Sequence, residues 1–272
     1  MVIRELINEL KAILNENVDF EAKEIAMNIL GITNNDIVLN PERAVSEEEY
    51  EKAISFAKRR AMGEPLQYIL GNCEFMSLSF DLNSDTLIPR SDTETLVEKL
   101  IDVIGDSSPR IIDIGTGSGC IGISLAKYTS AQVTLADVNK NALNMAASNA
   151  KKNDVNVSLL NIDILNEIPN GEFDIIVSNP PYIRSDVINT LQTEVKDFEP
   201  RIALDGGDDG LIFYRRITEI APQVLSKNGI LAYEIGYDQG KEVKMLMEKD
   251  FCDIAIIKDL CSNERVVIGI KK

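Results

Sequence analysis

The chain of 272 residues contains no histidine and no tryptophan. Without imidazole there is no Ser-His-Asp triad, no Cys-His pair, no histidine acid/base and no histidine metal ligand. Chemistry has to come from carboxylates, backbone groups or a cofactor, and no metal site is expected. Cysteine is scarce. Cys73, Cys120, Cys252 and Cys261 form no C-x-x-C pair, so a zinc knuckle or thioredoxin-type motif is not expected. In a reducing cytoplasm they read as free thiols. No apolar run approaches the ~20 residues of a membrane span. The stretch Met1-Val2-Ile3-Arg4-Glu5-Leu6 lacks a signal-peptide core, so a cytoplasmic protein without membrane association is expected. Positive charge is also short: 28 Lys+Arg stand against 44 Asp+Glu, a net charge of −16. That balance opposes a nonspecific nucleic-acid binder, which needs a basic footprint.

What is present reads as two kinds of structure. Ile3, Leu6, Ile7, Leu10, Ile13 and Leu14 recur at helical spacing. Ala22, Ile25, Ala26, Ile29 and Leu30 form a second stripe, stopped by Gly31. Ser46 and Glu49 make a capping box for a third helix that ends near Gly63. These stripes predict a small helical bundle over residues 1–63. From Leu66 the period changes to two: Met76, Leu78, Phe80 and Leu82 mark a strand, with Gln67–Leu70 as its hairpin partner and Gly71-Asn72 in the turn. Residues 64–90 therefore read as a β-hairpin linker. Ser91 and Glu94 predict another capping box. Over residues 91–272 strand and helix alternate, with strands at 110–114, 132–136, 155–160, 173–178 and 229–236 and a final hairpin, 252–257 with 265–270. This predicts an α/β fold with a mostly parallel, doubly wound, Rossmann-like seven-stranded sheet and a terminal antiparallel strand.

The loop Asp113-Ile114-Gly115-Thr116-Gly117-Ser118-Gly119 joins the first of these strands to a helix, and Asp137 closes the next strand. Glycines allow a tight turn and a close approach of ligand to backbone, and a carboxylate at Asp137 accepts ribose hydroxyls. Together they describe a nucleotide-type site. The third glycine comes one residue too early for a G-x-G-x-x-G pyrophosphate site, and Asp113 would repel a pyrophosphate. A cationic ligand carrying a sulfonium or α-amino group fits better, which favours S-adenosylmethionine. Asp163, near the end of the third strand, is placed for the adenine amino group; a solvated loop aspartate is the plainer alternative.

The sharpest signal is Asn179-Pro180-Pro181-Tyr182, which follows the buried strand 173–178. Two prolines fix two φ angles and remove two N–H donors. The resulting rigid corner offers the Asn179 side-chain oxygen and the Pro180 carbonyl as acceptors, beside an aromatic face. That suits a planar NH₂ group, whose nitrogen it would aim at a methyl donor. Such a nitrogen is a weak nucleophile, so positioning is what the protein supplies. No prior base is needed, because the proton leaves after transfer.

At these residues the chain resembles class I methyltransferases acting on planar amino nitrogens. Further stretches narrow the resemblance: Gly63–Gly71, Glu74-Phe75, Leu87–Glu94, Glu199-Pro200-Arg201, Ala203–Gly207, Asp209–Leu211, Glu234-Ile235-Gly236 and Lys258-Asp259-Leu260 with Arg265. They are similar to the bacterial peptide chain release factor glutamine N5-methyltransferases (the PrmC/HemK family). The resemblance runs from about residue 60 onward, while the helical N-terminus agrees in size and type. It implies methylation of the Gly-Gly-Gln glutamine of class 1 release factors. It implies S-adenosylmethionine at Gly115–Gly119, Asp137 and Asn179, to which the charge and placement arguments add Asp113 and Asp163 as cofactor contacts, with the glutamine amide at Asn179–Tyr182. It also implies that the N-terminal bundle helps grip the release factor. The family usually has proline where this chain has Ser91, which reads as a tolerated cap. Phe75 and Arg90 are either walls of the cleft or a core phenylalanine and a surface arginine.

Four alternatives stand beside this reading. A glutamine methyltransferase of a ribosomal protein would share every motif of the site. An exocyclic-amine N-methyltransferase on DNA or RNA would share the corner, but it must flip a base and hold phosphates, for which no basic, aromatic-interleaved segment exists. A dinucleotide dehydrogenase leaves the corner unexplained. A non-catalytic scaffold leaves Asn179 unexplained. Glu47–Glu49 and Lys58–Arg60 read as solvated surface. The loop 183–208 reads as a mobile lid whose Asp186, Glu194 and Glu199 would attract a basic release-factor loop. No direct nucleic-acid contact is expected, and a monomer is assumed.

Overall fold

A computed structural model describes residues 1–272 in two compact units. The first comprises residues 1–71 and 192–198. Helices α1 (Ile3–Ile13), α2 (Val18–Leu30), α3 (Asn34–Leu39), α4 (Glu47–Ala61) and α5 (Leu66–Leu70) build it, with a short helical turn at Thr193–Lys196. Both apolar stripes face inward: Leu6, Leu10, Ile25, Ala26, Ala53 and Ala57 are fully buried together. Gly31 caps α2 in the left-handed region, and Ser46 and Glu49 form the expected capping box on α4. Helix α3 is not anticipated by periodicity; it is too short for a stripe, though Thr33 and Asp36 cap it reciprocally. The basic run on α4 is not merely solvated. Arg60 has a nearly buried side chain bonded to Glu21 at 2.9 Å and Glu194 at 2.6 Å, and Arg59 pairs with Glu64.

The stretch Gln67–Leu70 is helix, not strand. Pro65 precedes α5, Gly71 closes it at φ +78°, and Leu66 and Ile69 point into the core. The hairpin lies one step later. Strands β1 (Asn72–Phe75) and β2 (Leu78–Asp81) pair antiparallel through a two-residue turn at Met76-Ser77, both at positive φ. Such turns favour glycine and asparagine, so nothing at Met76-Ser77 announces this one. The expected Ser91/Glu94 box also fails to form. A 3₁₀ turn covers 91–93 without a side-chain cap, and Glu94 accepts the backbone N–H of Met76 instead.

The second unit comprises residues 72–191 and 199–272. Its sheet is built from β3 (Arg110–Ile114), β4 (Gln132–Asp137), β5 (Ser158–Asn161), β6 (Phe173–Ser178), β7 (Leu225–Glu234), β8 (Phe251–Lys258) and β9 (Glu264–Lys271). The order is β5-β4-β3-β6-β7-β9-β8. All pairings are parallel except those of β9, which runs antiparallel between β7 and β8. Helices cover both faces. On one, α6 (Glu94–Ile104), α7 (Cys120–Tyr128) and α8 (Lys140–Lys152) pack with the hairpin phenylalanines Phe75 and Phe80 against Ile111, Leu135 and Val177. On the other, α9 (Ile212–Val224) and α10 (Gly240–Met247) cover Ile112, Ile114, Ile176 and Leu231. Alternate residues of each strand thus feed opposite cores, which explains why the strands read as unbroken apolar runs. The chain turns outward from β3 in one direction and from β6 in the other. That reversal opens a crevice at the carboxyl ends of the strands.

Candidate active site

One cavity occupies that crevice. Gly115, Thr116, Gly117 and Ser118 after β3 line it, with Asp137 at the end of β4, Asp163 beyond β5, and Asn179, Pro180 and Pro181 after β6. Apolar walls come from Leu87, Ile162, Ile164, Phe213 and Ile217. The structure therefore brings most of the sequence-identified residues to one place.

The glycines divide by role. Gly115 and Gly117 sit at φ +71° and +54°, and a Cβ on either would point into open space. Their bareness leaves the cavity room for a ligand against the backbone. Gly119 is different: a Cβ there would lie 2.6 Å from Ile123 Cδ1 and 3.1 Å from Ala146 Cβ. It serves the packing of α7 on α8 and is not part of the lining. Asp113 is also outside the lining. Its carboxylate is fully buried beneath the loop, accepting from the Thr116 hydroxyl at 2.6 Å and the Gly122 amide at 3.0 Å. It braces the turn from below, with Oδ1 left unpaired. Burial pushes its pKa up to about 6.

Asp137 lines the cavity and accepts two backbone N–H groups, from Gly117 at 2.9 Å and from Asn139 at 2.9 Å. Each oxygen keeps a second lone pair for a ligand hydroxyl. Burial raises its pKa, and the backbone bonds oppose the rise. Asp163 lines the cavity while tying its own turn to Leu165 and Asn166.

The corner is fixed by side chains. The hydroxyl of Ser178 donates to the Ile114 carbonyl at 2.7 Å, which locks the ends of β6 and β3 together. The Asn179 Nδ2 donates to Thr93 Oγ1 at 3.5 Å, so its oxygen is the free end. Tyr182 does not line the cavity. Its ring packs into the core and burial raises its pKa, while its carbonyl accepts from Gln239 Nε2 at 3.1 Å. Phe75 is core, and Arg90 is a wall of the cavity, its guanidinium 2.6 Å from the buried Glu199.

Three supporting residues escaped the sequence reading. Asn149 on α8 is buried and bridges the Ser118 carbonyl of the glycine loop to both backbone groups of Asp81. Thr93 lines the cavity beside Asn179. Glu234, at the end of β7, is buried behind the corner, and burial pushes its pKa up to about 7. The last two lie within stretches that carry the family resemblance, but local spacing gives them no role. The loop 183–208 is not a loose lid. Ile183 and Ser185 bond to Leu204 and Gly207, and Ile202 and Ala203 line the cavity. Of its three carboxylates, Glu199 is buried on Arg90, Glu194 is paired with Arg60, and Asp186 with Arg184.

A switch-point cavity between a glycine loop, an acid-ended strand and an Asn-Pro-Pro-Tyr corner defines a class I methyltransferase. A family model for the methyltransferase small domain matches residues 90–197, and one for the PrmC N-terminal domain matches residues 2–71. Among solved structures, a methyltransferase from Pyrococcus furiosus shares the fold at a TM-score of 0.54 and 20% identity, over 72% of this chain and 90% of that one. The chain is 40% identical to a release factor glutamine methyltransferase of Clostridium acetobutylicum, over 86% of this chain and 85% of the relative. It is 36% identical to that of Thermodesulfovibrio yellowstonii, over 98% and 95%. The chain belongs to the release factor glutamine methyltransferase family.

Proposed function

We propose that this chain transfers a methyl group from S-adenosylmethionine to the side-chain amide nitrogen of the Gly-Gly-Gln glutamine in class 1 release factors. The observation that carries the reading is the shared cavity: the Asn179-Pro180-Pro181 corner opens onto the same space as Gly115–Ser118 and Asp137. The residues fit the cofactor. Gly115 and Gly117 leave room for it against the backbone, and Asp137 retains acceptor capacity for ribose hydroxyls. Asp163 is at hand for the adenine amine, and the cavity's Ile162, Ile164 and Ile217 supply apolar walls. S-Adenosylmethionine supplies, when bound, a methyl group on an electrophilic sulfonium.

The chain's own part is positioning. Asn179 Oδ1 and the Pro180 carbonyl accept both N–H groups of the glutamine amide, which fixes the nitrogen toward the methyl group. Holding both donors opposes rotation and favours loss of planarity at the nitrogen, the term that limits its reactivity. The nitrogen would form its new bond to carbon as the carbon–sulfonium bond breaks, the electron pair of that bond staying on sulfur as a neutral thioether, and would then release one proton to solvent. Tyr182 backs the corner from the core, and Arg90 and Thr93 wall the cleft. The helical unit of residues 1–71 would take part in gripping the release factor.

Purified protein, methyl-labelled S-adenosylmethionine and unmethylated release factor test this directly. Label is expected in the glutamine with the wild type and not with Asn179→Ala. Label entering a ribosomal protein or nucleic acid instead would overturn the substrate assignment while leaving the cofactor reading intact.

A further inference from the structure

The carboxamide of Asn179 has two ends, and the proposed reaction uses only the oxygen. Something must decide which end faces the substrate. The parallel register of β6 with β7 runs to Ser178 opposite Tyr233. The next pair in that register is Asn179 and Glu234. Glu234 is 2% exposed, and the hydrogen-bonding side chains of Thr93 and Asn179 face its carboxyl and oppose the rise in its pKa. Its Oε2 has no partner at all. Thr93 meets Asn179 Nδ2 as well, so Thr93, Asn179 and Glu234 close on one another. A buried carboxylate with one oxygen unsatisfied is costly, and the transfer as described does not need it.

We infer that Glu234 is a positioning residue that holds the Nδ2 end of Asn179 and thereby turns Oδ1 toward the substrate amide. The inference rests on the reading of Asn179 as the acceptor for that amide. An ionised carboxylate only accepts, so the NH₂ end of Asn179 is the only end it can take. A protonated carboxyl also donates, and then either end of Asn179 satisfies it.

Burial holds the Glu234 carboxyl near a pKa of about 7, so the change falls in an accessible range. The charged and titratable groups around it are Arg265 of β9 and Asp92 of the 91–93 turn, with Tyr182, Tyr214 and Cys120 in its field. Arg265 is itself shared with Asp92 at 3.0 Å and Asp259 at 3.2 Å, so it keeps partners when Glu234 is neutral. Asp113 titrates nearby in pH, but it braces the glycine loop and its ionisation reports in cofactor affinity.

The test is kcat against pH at saturating cofactor, for the wild type, Glu234→Gln and Asn179→Ala, with cofactor Kd and thermal stability measured alongside. For the wild type kcat should rise about tenfold from pH 6 to pH 8, following one ionisation near 7. Glu234→Gln is isosteric and cannot ionise; it should stay near the acid-side rate throughout, with cofactor Kd within about threefold of wild type. A wild-type kcat without that limb, or a Glu234→Gln protein that keeps it, would overturn the inference, and the first of these needs no variant to fold. If Asn179→Ala transfers methyl at the wild-type rate, the corner reading falls and this inference with it. If Asn179→Ala is inactive while Glu234→Gln matches the wild type in rate and pH profile, only the positioning role falls.

Discussion

The glycine loop and the Asn-Pro-Pro-Tyr corner border one cavity, yet they are held by different means. The loop is shaped mainly by local backbone. Gly115, Gly117 and Gly119 adopt positive φ, Asp113 ties Thr116 and Gly122 within nine residues of itself, and Asp137 binds the Gly117 amide from the adjoining strand. The corner is held by groups brought from far along the chain. Thr93 meets Asn179 from 86 residues away, and Glu234 and Arg265 arrive on β7 and β9. A site for a ligand that many proteins share needs only a turn with room in it. A corner that orients a weak nucleophile, as proposed for Asn179, needs its acceptors pinned by neighbours that have no other freedom.

The sharpest way to separate the two is kinetic. If Asn179 accepts from the reacting nitrogen as proposed, Asn179→Ala should lower methyl transfer about 10³-fold, on the order of 4 kcal/mol of transition-state stabilisation. Single-turnover rates at saturating cofactor measure it. The same substitution should lower the Tm only modestly, because the side chain's ties to the fold are one long hydrogen bond to Thr93 and its approach to Glu234.

Within the loop, two alanine substitutions should behave oppositely. Gly119→Ala places a methyl 2.6 Å from Ile123 at φ +85°. Overpacking and backbone strain together should cost roughly 2–4 kcal/mol of stability. Gly117→Ala meets no neighbour, so it should cost only about 1–2 kcal/mol from its positive φ. Its loss should instead appear as weaker cofactor binding, because the methyl enters the cavity. Denaturant unfolding and calorimetric titration of both variants check the contrast. Equal losses of affinity and stability in the pair would mean that Gly119 also meets the ligand.

This contrast also marks how far the sequence could be read. The strand–glycine–helix unit, the acid closing β4 and the Pro-Pro corner after β6 are patterns within about ten residues, and the structure places them where those patterns point. Gln67–Leu70 reads as a strand because Tyr-Ile-Leu is a β-prone apolar run, whereas Pro65 and Gly71 enclose one turn of helix. The Ser91/Glu94 pair has the right spacing for a cap, but the Met76 amide competes for Glu94 and wins it. Glu234 lies in a stretch that carries the family resemblance, but nothing beside it in the sequence gives it a task. Its contact with Asn179 depends on the register of β6 against β7, which no local pattern encodes.

Glu234 should also leave a thermodynamic mark on the corner. Its pKa is raised on folding, from the usual carboxylate value to about 7. The folded state therefore binds the proton more tightly than the unfolded chain. The stability this confers is full below the unfolded value and is lost as pH rises through about 7. Glu234→Gln has nothing to ionise there. It should flatten that part of the stability–pH curve, with a difference from wild type on the order of 2–3 kcal/mol between pH 4 and pH 8. Urea unfolding across that range measures it, with Asp113 contributing a smaller slope to both proteins.

The smallest expected effect lies at Ser91. Serine makes no capping bond there: the 91–93 turn has no side-chain cap, and Ser91 is exposed. Arg90 already sits at φ −103° and ψ 142°, the extended conformation that a following proline imposes. Proline at the first position of the turn then costs no hydrogen bond and lowers the entropy of the unfolded chain. Ser91→Pro should change stability by less than about 1 kcal/mol, in the stabilising direction, and leave kcat as it is. A fall in kcat without a fall in Tm would show that Ser91 reaches the substrate.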